Sequence, residues 1–476
     1  MAGDAEMRQF DRFGPKGNKQ MVKKLDLFLV LWSCLCISIL PACSSDQSGG
    51  ISPQPSFDPT ETTMPTIPPP AATATPTELP PSETLVPIIT PTPTKKNDME
   101  LRLGLHTTQA VGEKKYVVIL ADFPDVERKM PIEKLSARMV YFMSEYFTDA
   151  SYHKLDFEGV ITKRYMLPHP VGYYKISPHN LEVDRNKVLS LVSDVVNAAD
   201  ADIQFSKDLY VMISLGATMD EYGMIGYSAV PGMLGFKSDL PITTQSGEEI
   251  VNAVVFCENA HLGTFIHDTL HMLGGVIDNK RVTPCLYDQD LQAIYTSADD
   301  WAKILINMGF WDPLSSHFPY DRGLPPSGLS SWTKLRLNWI DPAKIALVLP
   351  GQTTNVRLDP LADENGATLV VKIPISDSTY YLVENRQPVL SDVNLPSSGI
   401  LILYADDRVD EGRHGNGPVK IMDANPQVPY MNNAAYDIGK NSVFIDNLNG
   451  VAVVLLKKDG LVYEIQITTP DKASFK

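Results

Sequence analysis

The stretch GTFIHDTLHMLGG, residues 263–275, determines how the rest of this chain is interpreted. On a helix, His267 and His271 would lie one turn apart on the same face, because they are four residues apart. Two imidazoles placed in this way can both reach one metal ion, and zinc commonly takes such pairs. Apolar neighbours would bury the helix, and the glycine pair that closes the stretch would end it. The stretch therefore predicts a buried helix that binds metal.

Asp268 occupies the position where zinc peptidases with the pattern His-Glu-x-x-His carry their glutamate base. The glutamate takes a proton from a zinc-bound water and passes it to the leaving amine. Aspartate keeps the carboxylate but is one methylene shorter, and a misplacement of about 1 Å can cost about a hundredfold in rate. We therefore expect Asp268 to be a catalytic residue with reduced efficiency. The competing interpretation is a pair of core histidines that only stabilises the fold.

The chain around this helix predicts an α+β fold. Upstream, residues 116–121 (YVVILA) and 209–213 read as buried strands, and residues 133–147 and 188–198 have apolar residues at helical spacing. Downstream, short strand-like runs alternate with turns; they are residues 346–349, 368–373, 380–384, 400–404, 451–456 and 461–468. We expect a catalytic domain over residues 100–340, with a mixed sheet and the metal-site helix. A β-rich, sandwich-like subdomain would follow over residues 341–476.

Residues 1–43 have the pattern of an export signal. Lys23 and Lys24 precede an apolar run over residues 27–40, which at about 14 residues is shorter than the about 20 that a membrane-spanning helix needs. The run ends at Ala42-Cys43, which resembles a bacterial lipobox and predicts lipidation of Cys43; an ordinary cleaved signal peptide is the alternative. The polar residues before Met21 favour Met21 over Met1 as the start.

Residues 44–99 are rich in Pro, Thr and Ser and predict a disordered stalk. A stalk after a lipid anchor would hold the folded region away from the membrane. We therefore expect an extracellular protein on a bacterial cell surface, with secretion as the alternative.

The formal charge of −16 disfavours a nucleic-acid partner, because phosphate backbones repel an acidic surface. The sequence has no Gly-rich phosphate loop and no Gly-x-Ser-x-Gly motif, so it does not support nucleotide chemistry or serine hydrolysis. We expect a monomer.

Five further segments lie in order along the chain: residues 117–125 (VVILADFPD), 146–155, 311–315 (WDPLS), 329–340 (LSSWTKLRLNWI) and 381–387 (YLVENRQ). Together they resemble the immune inhibitor A-like secreted zinc metallopeptidases. Besides Asp268, two residues depart from the family pattern: Leu314 replaces a methionine, and Asn338 replaces a glycine. The resemblance implies a zincin-like catalytic domain, one catalytic zinc ion and a peptide or protein substrate.

The resemblance also implies a third metal ligand, an aspartate six residues after the second histidine. That slot holds Ile277, and Asp278 follows it. We favour Asp278 as the third ligand, with Asp288 as the alternative, because the family often has Leu-Tyr-Asp just beyond its aspartate. The neighbouring Tyr287 would either orient a substrate carbonyl or simply pack.

Cys257 and Cys285 are the cysteines that remain outside the export signal. In an oxidising exterior they could form a disulfide, and two buried free thiols are an equally good interpretation. Calcium could bind in the acidic loops, but no loop has a spacing that assigns a site. We expect a zinc metalloendopeptidase; the alternatives are a catalytically inactive pseudopeptidase that binds surface partners and a purely structural domain.

Overall fold

The computed structural model describes residues 107–108, 110–236, 242–294, 301–321 and 325–473. All of them belong to one compact unit. The predicted signal peptide (residues 1–43), the lipidation at Cys43 and the stalk (residues 44–99) lie outside the described residues. Within the described ranges, no helix combines the length and the apolar character needed to span a bilayer.

Helices and strands alternate in the first half of the described chain, and strands dominate the second half. The helices are α1 (Ile132–Ser136), continued by a π-helical segment (Ala137–Phe142) into α2 (Met143–Ala150), then α3 (Val171–Tyr174), α4 (Arg185–Ala199), α5 (Met219–Tyr222), α6 (Leu262–Gly274), α7 (Gln289–Gln292) and α8 (Ser331–Arg336). The strands of the first half are β1 (Gly112–Asp122), β2 (Leu155–Met166), β3 (Tyr210–Leu215), β4 (Gly226–Val230), β5 (Ile242–Thr243), β6 (Glu249–Ile250), β7 (Ala253–Cys257), β8 (Val276–Ile277) and β9 (Lys280–Arg281). Those of the second half are β10 (Ile345–Leu347), β11 (Thr354–Leu358), β12 (Val370–Pro374), β13 (Thr379–Arg386), β14 (Gly399–Asp406), β15 (Val419–Ile421), β16 (Val443–Asp446), β17 (Val451–Asp459) and β18 (Val462–Thr468).

The first sheet is mixed and has the strand order β2-β1-β3-β7-β4. Four strands are parallel, and β4 runs antiparallel to β7 at the edge. Strand β1 is apolar throughout its second half because both of its faces are buried: Val118 and Leu120 pack into one core, and Val117 and Ile119 into another. The predicted α+β class is confirmed.

Helix α6 lies on one face of this sheet, in contact with β4 and β7. All residues from Gly263 to Gly274 are buried, including five polar ones: Thr264, His267, Asp268, Thr269 and His271. The helix ends where Gly275 takes a φ of +62°, a left-handed conformation that glycine adopts without steric cost. The fold therefore places His267 and His271 against the edge of the sheet that β4 forms.

Two further sheets occupy the C-terminal part, with strand orders β10-β12-β13-β14-β15 and β11-β18-β17-β16. These two sheets share one apolar core. Val383 on β13 and Ile402 on β14 contribute to it from the five-stranded sheet, and Val453 on β17 and Ile465 on β18 from the four-stranded sheet. This arrangement agrees with the β-rich region expected after residue 340. A separate core cluster combines residues of both parts, with Ile266 and Leu270 from α6 and Leu382 and Leu401 from β13 and β14. The C-terminal part therefore packs directly onto the region of α6.

A buried ionic network connects the C-terminal sheet to the chain beneath α6. Arg386 on β13 is fully buried and pairs with Glu384 at 2.9 Å and with Asp392 at 2.8 Å. The same guanidinium donates to the carbonyls of Trp311 (3.1 Å) and Gly328 (2.9 Å). The network thereby fixes the turn of residues 311–315.

Candidate metal centre

His267 and His271 are both buried on α6, with exposed fractions of 4 % and 1 %. Their rings are 4.7 Å apart between centroids and nearly perpendicular. The spacing of four residues thus brings the two imidazoles together on one face, as the sequence predicts. Burial lowers the pKa of both rings, that of His271 well below its ordinary value, so the fold favours neutral imidazoles.

Backbone carbonyls determine which way the two rings face. Nδ1 of His267 donates to the carbonyl of Pro313 at 2.8 Å, and Nδ1 of His271 donates to the carbonyl of Thr283 at 2.5 Å. A carbonyl oxygen only accepts hydrogen bonds, so each Nδ1 must carry the proton. The unprotonated Nε2 atoms then point at each other, 3.0 Å apart. Metal-binding histidines are commonly held in this way.

The turn of residues 311–315 supplies one of these carbonyls and is itself held by Asp312. The Asp312 carboxylate accepts from the amides of Leu314 and Ser330, both at 2.8 Å, and from the hydroxyl of Thr333 at 2.8 Å. Leu314, which stands where the resembled family has methionine, is fully buried in this turn. Asp312 therefore holds the turn in the position in which its Pro313 carbonyl accepts from the His267 ring.

Cys285 completes a group of three donors. Its sulfur lies 3.7 Å from Nε2 of His267 and 3.4 Å from Nε2 of His271. Within the described ranges, these three side chains form the one group of His, Cys, Asp or Glu whose ligand atoms could hold a metal ion together. Nitrogen and sulfur donors suit zinc.

The two aspartates expected as third ligand lie elsewhere. Asp278 is exposed at the tip of the β8–β9 hairpin, with a φ of 52°. Asp288 is buried at the N-terminus of α7, where its carboxylate accepts from the amides of Asp290 and Leu291 at 3.0 Å and of Gly415 at 2.8 Å. The structure therefore brings neither of them to the histidines. Asp278 lies at the exposed tip of the hairpin, and the carboxylate of Asp288 caps the N-terminus of α7.

Of the two interpretations of Cys257 and Cys285, the structure has the pair of buried free thiols and not the disulfide. The Cys257 thiol, at the end of β7, donates to the carbonyl of Met224 at 3.1 Å. It packs with Val117 and Ile119 of β1 in a different core cluster from the one that contains α6. Cys285 packs instead with Tyr287, Ile304 and Leu305 in a separate small cluster. The two sulfurs therefore have different surroundings.

Asp268 is buried next to His267, and both side chains line one cleft. Burial raises the pKa of its carboxyl to about 6, and the neighbouring His267 and Arg281 oppose this rise. The carboxylate is close to Gly226 on β4, where a Cβ replacing the glycine hydrogen would lie 3.2 Å from Oδ2.

Tyr287 and Arg281 both lie beside Cys285. The Tyr287 ring stacks on His267 at 5.8 Å and packs in the same small cluster as Cys285, and its oxygen accepts from Nδ2 of Asn180 at 2.7 Å. Nη2 of Arg281 lies 3.7 Å from the sulfur, and Glu411 holds this guanidinium through two contacts of 3.0 and 3.1 Å. Burial raises the pKa of the Cys285 thiol to about 11, and Arg281 opposes that rise.

The three donors lie in the wall of a cleft of about 370 Å³. One wall is aromatic, since Trp301 stacks on His317 at 4.4 Å and also contacts Phe318. Strand β4 borders the opposite side through residues 226–228. This volume lies in the range of ligand-binding sites, and the cleft combines apolar walls with a few polar groups.

Sequence reasoning missed Cys285, Arg281, Asn180 and His317 as members of the site. Cys285 had a signal, because it lies two residues before Tyr287 in a segment already singled out, but its pairing with Cys257 was the competing explanation. A scan against protein-family models finds no match for this chain, and a search of curated proteins finds none either.

Proposed function

We propose that this chain is an extracellular zinc metalloendopeptidase of the immune inhibitor A-like type, anchored to a bacterial surface through Cys43. His267 and His271 would hold the metal, and a peptide or protein would be the substrate. The observation that carries the proposal is the approach of the two Nε2 atoms to 3.0 Å while both Nδ1 atoms donate to carbonyls.

Two neutral imidazoles in this arrangement present lone pairs to each other. Lone pairs at 3.0 Å repel, and the site is buried, so water screens that repulsion poorly. A bound cation held by the two Nε2 atoms would replace this repulsion with two favourable bonds. The carbonyls of Pro313 and Thr283 then act as the outer groups that orient metal-binding histidines.

The donors present fit zinc, which when bound lowers the pKa of a water molecule and polarises a carbonyl group. Asp268 lies in the same cleft beside His267, and its carboxylate would serve as the base that takes a proton and returns it. Arg281 and Glu411 are locked to each other, so the guanidinium has a fixed position at the cleft. These residues supply proton transfer and a fixed electrostatic environment.

The cleft suits an extended chain. Strand β4 is the edge strand of the first sheet, and residues 226–228 border the cleft beside α6. Extended peptides bind sheet edges through backbone hydrogen bonds. The aromatic wall of Trp301, His317 and Phe318 offers contact area for a side chain of the peptide.

A second candidate function is a pseudopeptidase that binds peptides without cutting them. The observation that favours it is Asp268, because an aspartate carboxylate cannot reach as far as the glutamate of active zinc peptidases.

A casein-hydrolysis assay of the full chain tests the proposal. We expect wild type to cleave, the metal chelator 1,10-phenanthroline to abolish cleavage, and zinc to restore it. His267→Ala should be inactive, whereas His169→Ala, a half-buried histidine that stacks on Tyr173, should retain activity. Zinc-loaded, folded wild type without any activity would contradict the peptidase and favour the pseudopeptidase.

A further inference from the structure

We propose that Cys285 is the third protein ligand of the metal, so that the site is a His2Cys centre made by His267, His271 and the Cys285 sulfur. This inference rests on the proposed zinc site, and it replaces the aspartate that the family resemblance implies. It assigns to Cys285 a role that neither the helix motif nor either interpretation of the cysteine pair contains.

The distances between the three donors match those around one zinc ion. Tetrahedral zinc binds nitrogen at about 2.0–2.1 Å and sulfur at about 2.3 Å, which separates two nitrogens by about 3.3 Å and nitrogen from sulfur by about 3.6 Å. The structure has 3.0 Å between the Nε2 atoms, and 3.4 and 3.7 Å from them to the sulfur. Each distance is within about 0.3 Å of the tetrahedral value, so the side chains are already arranged for one ion.

The groups around the sulfur favour a negatively charged ligand atom. Nη2 of Arg281 lies 3.7 Å from it, and Glu411 holds the guanidinium in place. Tyr287 packs in the same cluster as Cys285, and its hydroxyl oxygen accepts from Nδ2 of Asn180 at 2.7 Å, which fixes the ring beside the sulfur. Hydrogen bonds and nearby charge of this kind hold metal-bound sulfur in position.

The described carboxylates nearest in sequence do not compete for this position. Asp278 is exposed at the hairpin tip, and Asp288 accepts three backbone hydrogen bonds. Asp268 lines the cleft but is not a member of the group of donors. Two imidazoles and one thiolate leave a fourth tetrahedral position open towards the cleft, as catalytic zinc sites require.

Cobalt substitution of the full chain tests this assignment without relying on activity. A thiolate bound to Co²⁺ gives an intense sulfur-to-metal charge-transfer band in the near ultraviolet, which imidazole and carboxylate ligands do not give. We expect wild type to bind one Co²⁺ per chain and to show the band, and Cys285→Ser to lose it. Cys257→Ser is the matched control, because it removes the other buried thiol, and it should keep the band.

Zinc affinity provides a second readout. Cys285→Ser should weaken zinc binding by more than about 100-fold, because changes to outer groups alone cost about 10- to 100-fold. If Cys285→Ser does not fold, X-ray absorption at the zinc edge of wild type decides the question, since one sulfur neighbour supports the proposal and none overturns it.

The outcomes separate this inference from the proposed function. Wild type that binds Co²⁺ or Zn²⁺ with nitrogen and oxygen neighbours alone would overturn the role of Cys285 and leave the metallopeptidase intact. Folded wild type that binds neither metal would overturn both.

Discussion

The Nε2 atoms of His267 and His271 lie 3.0 Å apart in a buried site, while Nδ1 of each ring donates to a backbone carbonyl. Because each Nδ1 carries the proton of its ring, no proton lies between the two Nε2 atoms, and the short distance between them is not a hydrogen bond. The relationship depends on backbone from two other segments, at Pro313 and Thr283. The site is therefore built by the tertiary fold around α6 rather than by the helix alone.

Asp268→Glu tests whether the short carboxylate limits the reaction. Adding one methylene extends the carboxylate towards the cleft, and we expect kcat/KM for a peptide substrate to rise by about 100-fold. Zinc affinity should be unchanged, since the ligands are untouched, and Asp268→Asn should abolish cleavage. Equal or lower activity in Asp268→Glu, with zinc bound, would show that the aspartate is correctly placed in this cleft.

Tyr287→Phe tests whether the tyrosine hydroxyl supports the proposed metal site. The ring and its stacking on His267 remain, but the hydroxyl that accepts from Asn180 is lost. We expect zinc affinity to fall by about tenfold, measured by competition with a chromophoric chelator. Tyr173→Phe, at an exposed tyrosine, is the control and should bind zinc like wild type. An unchanged affinity in Tyr287→Phe would leave this tyrosine with a packing role.

Gly226→Ala tests the contact between β4 and α6. A Cβ at this position would lie 2.6 Å from Cγ2 of Thr264 and 2.9 Å from a ring carbon of Phe256. Overpacking of this kind costs about 1–3 kcal/mol, so the midpoint of urea unfolding should fall. Gly172→Ala, on α3, meets no atom within 4 Å and should be neutral or slightly stabilising. Equal stability of the two variants would contradict the tight packing of α6 on the edge strand.

Lys334→Met tests a pH dependence that arises away from the proposed metal site. Lys334 is buried, its Nζ donates to the carbonyl of Ala150 at 2.9 Å and lies 3.8 Å from the centre of the Tyr152 ring. Burial lowers its pKa from 10.5 to about 7. Between these values the unfolded chain binds more protons than the folded one, so the free energy of unfolding rises with pH.

This contribution amounts to at most about 1.4 kcal/mol per pH unit. Urea unfolding of wild type and Lys334→Met at pH 7 to 9 should show a smaller rise in the variant, while Lys457→Met, at an exposed lysine, should follow wild type. Parallel pH profiles for wild type and Lys334→Met would disprove the account of this lysine.

Part of the fold could be predicted from sequence, because burial leaves a strong pattern. Strand β1, with its apolar run between two cores, was predicted within a few residues, and so was α4. Strand β2 was missed, since at the edge of the sheet it alternates buried and exposed positions and carries several charged residues. Strands β4 and β7 were missed too, although they form the surface on which α6 packs.

The third donor could not be predicted from sequence for a geometric reason. The expectation of an aspartate counted six residues from His271 along the chain, whereas the β8–β9 hairpin uses those residues to turn and exposes Asp278. The chain returns to the histidines at Thr283, whose carbonyl accepts from His271, and the next side chain with a metal-binding donor there is Cys285. Spacing along a loop does not determine which side chain returns to a site, and only the register of the hairpin decides it.

The zinc content of the purified full chain tests the central claim most directly. After dialysis against zinc and removal of the excess, elemental analysis should find one zinc ion per chain in wild type. His267→Ala and His271→Ala, each shown to be folded by circular dichroism, should contain none, and His169→Ala should match wild type. Folded wild type without zinc, or His267→Ala and His271→Ala variants that retain it, would contradict the account.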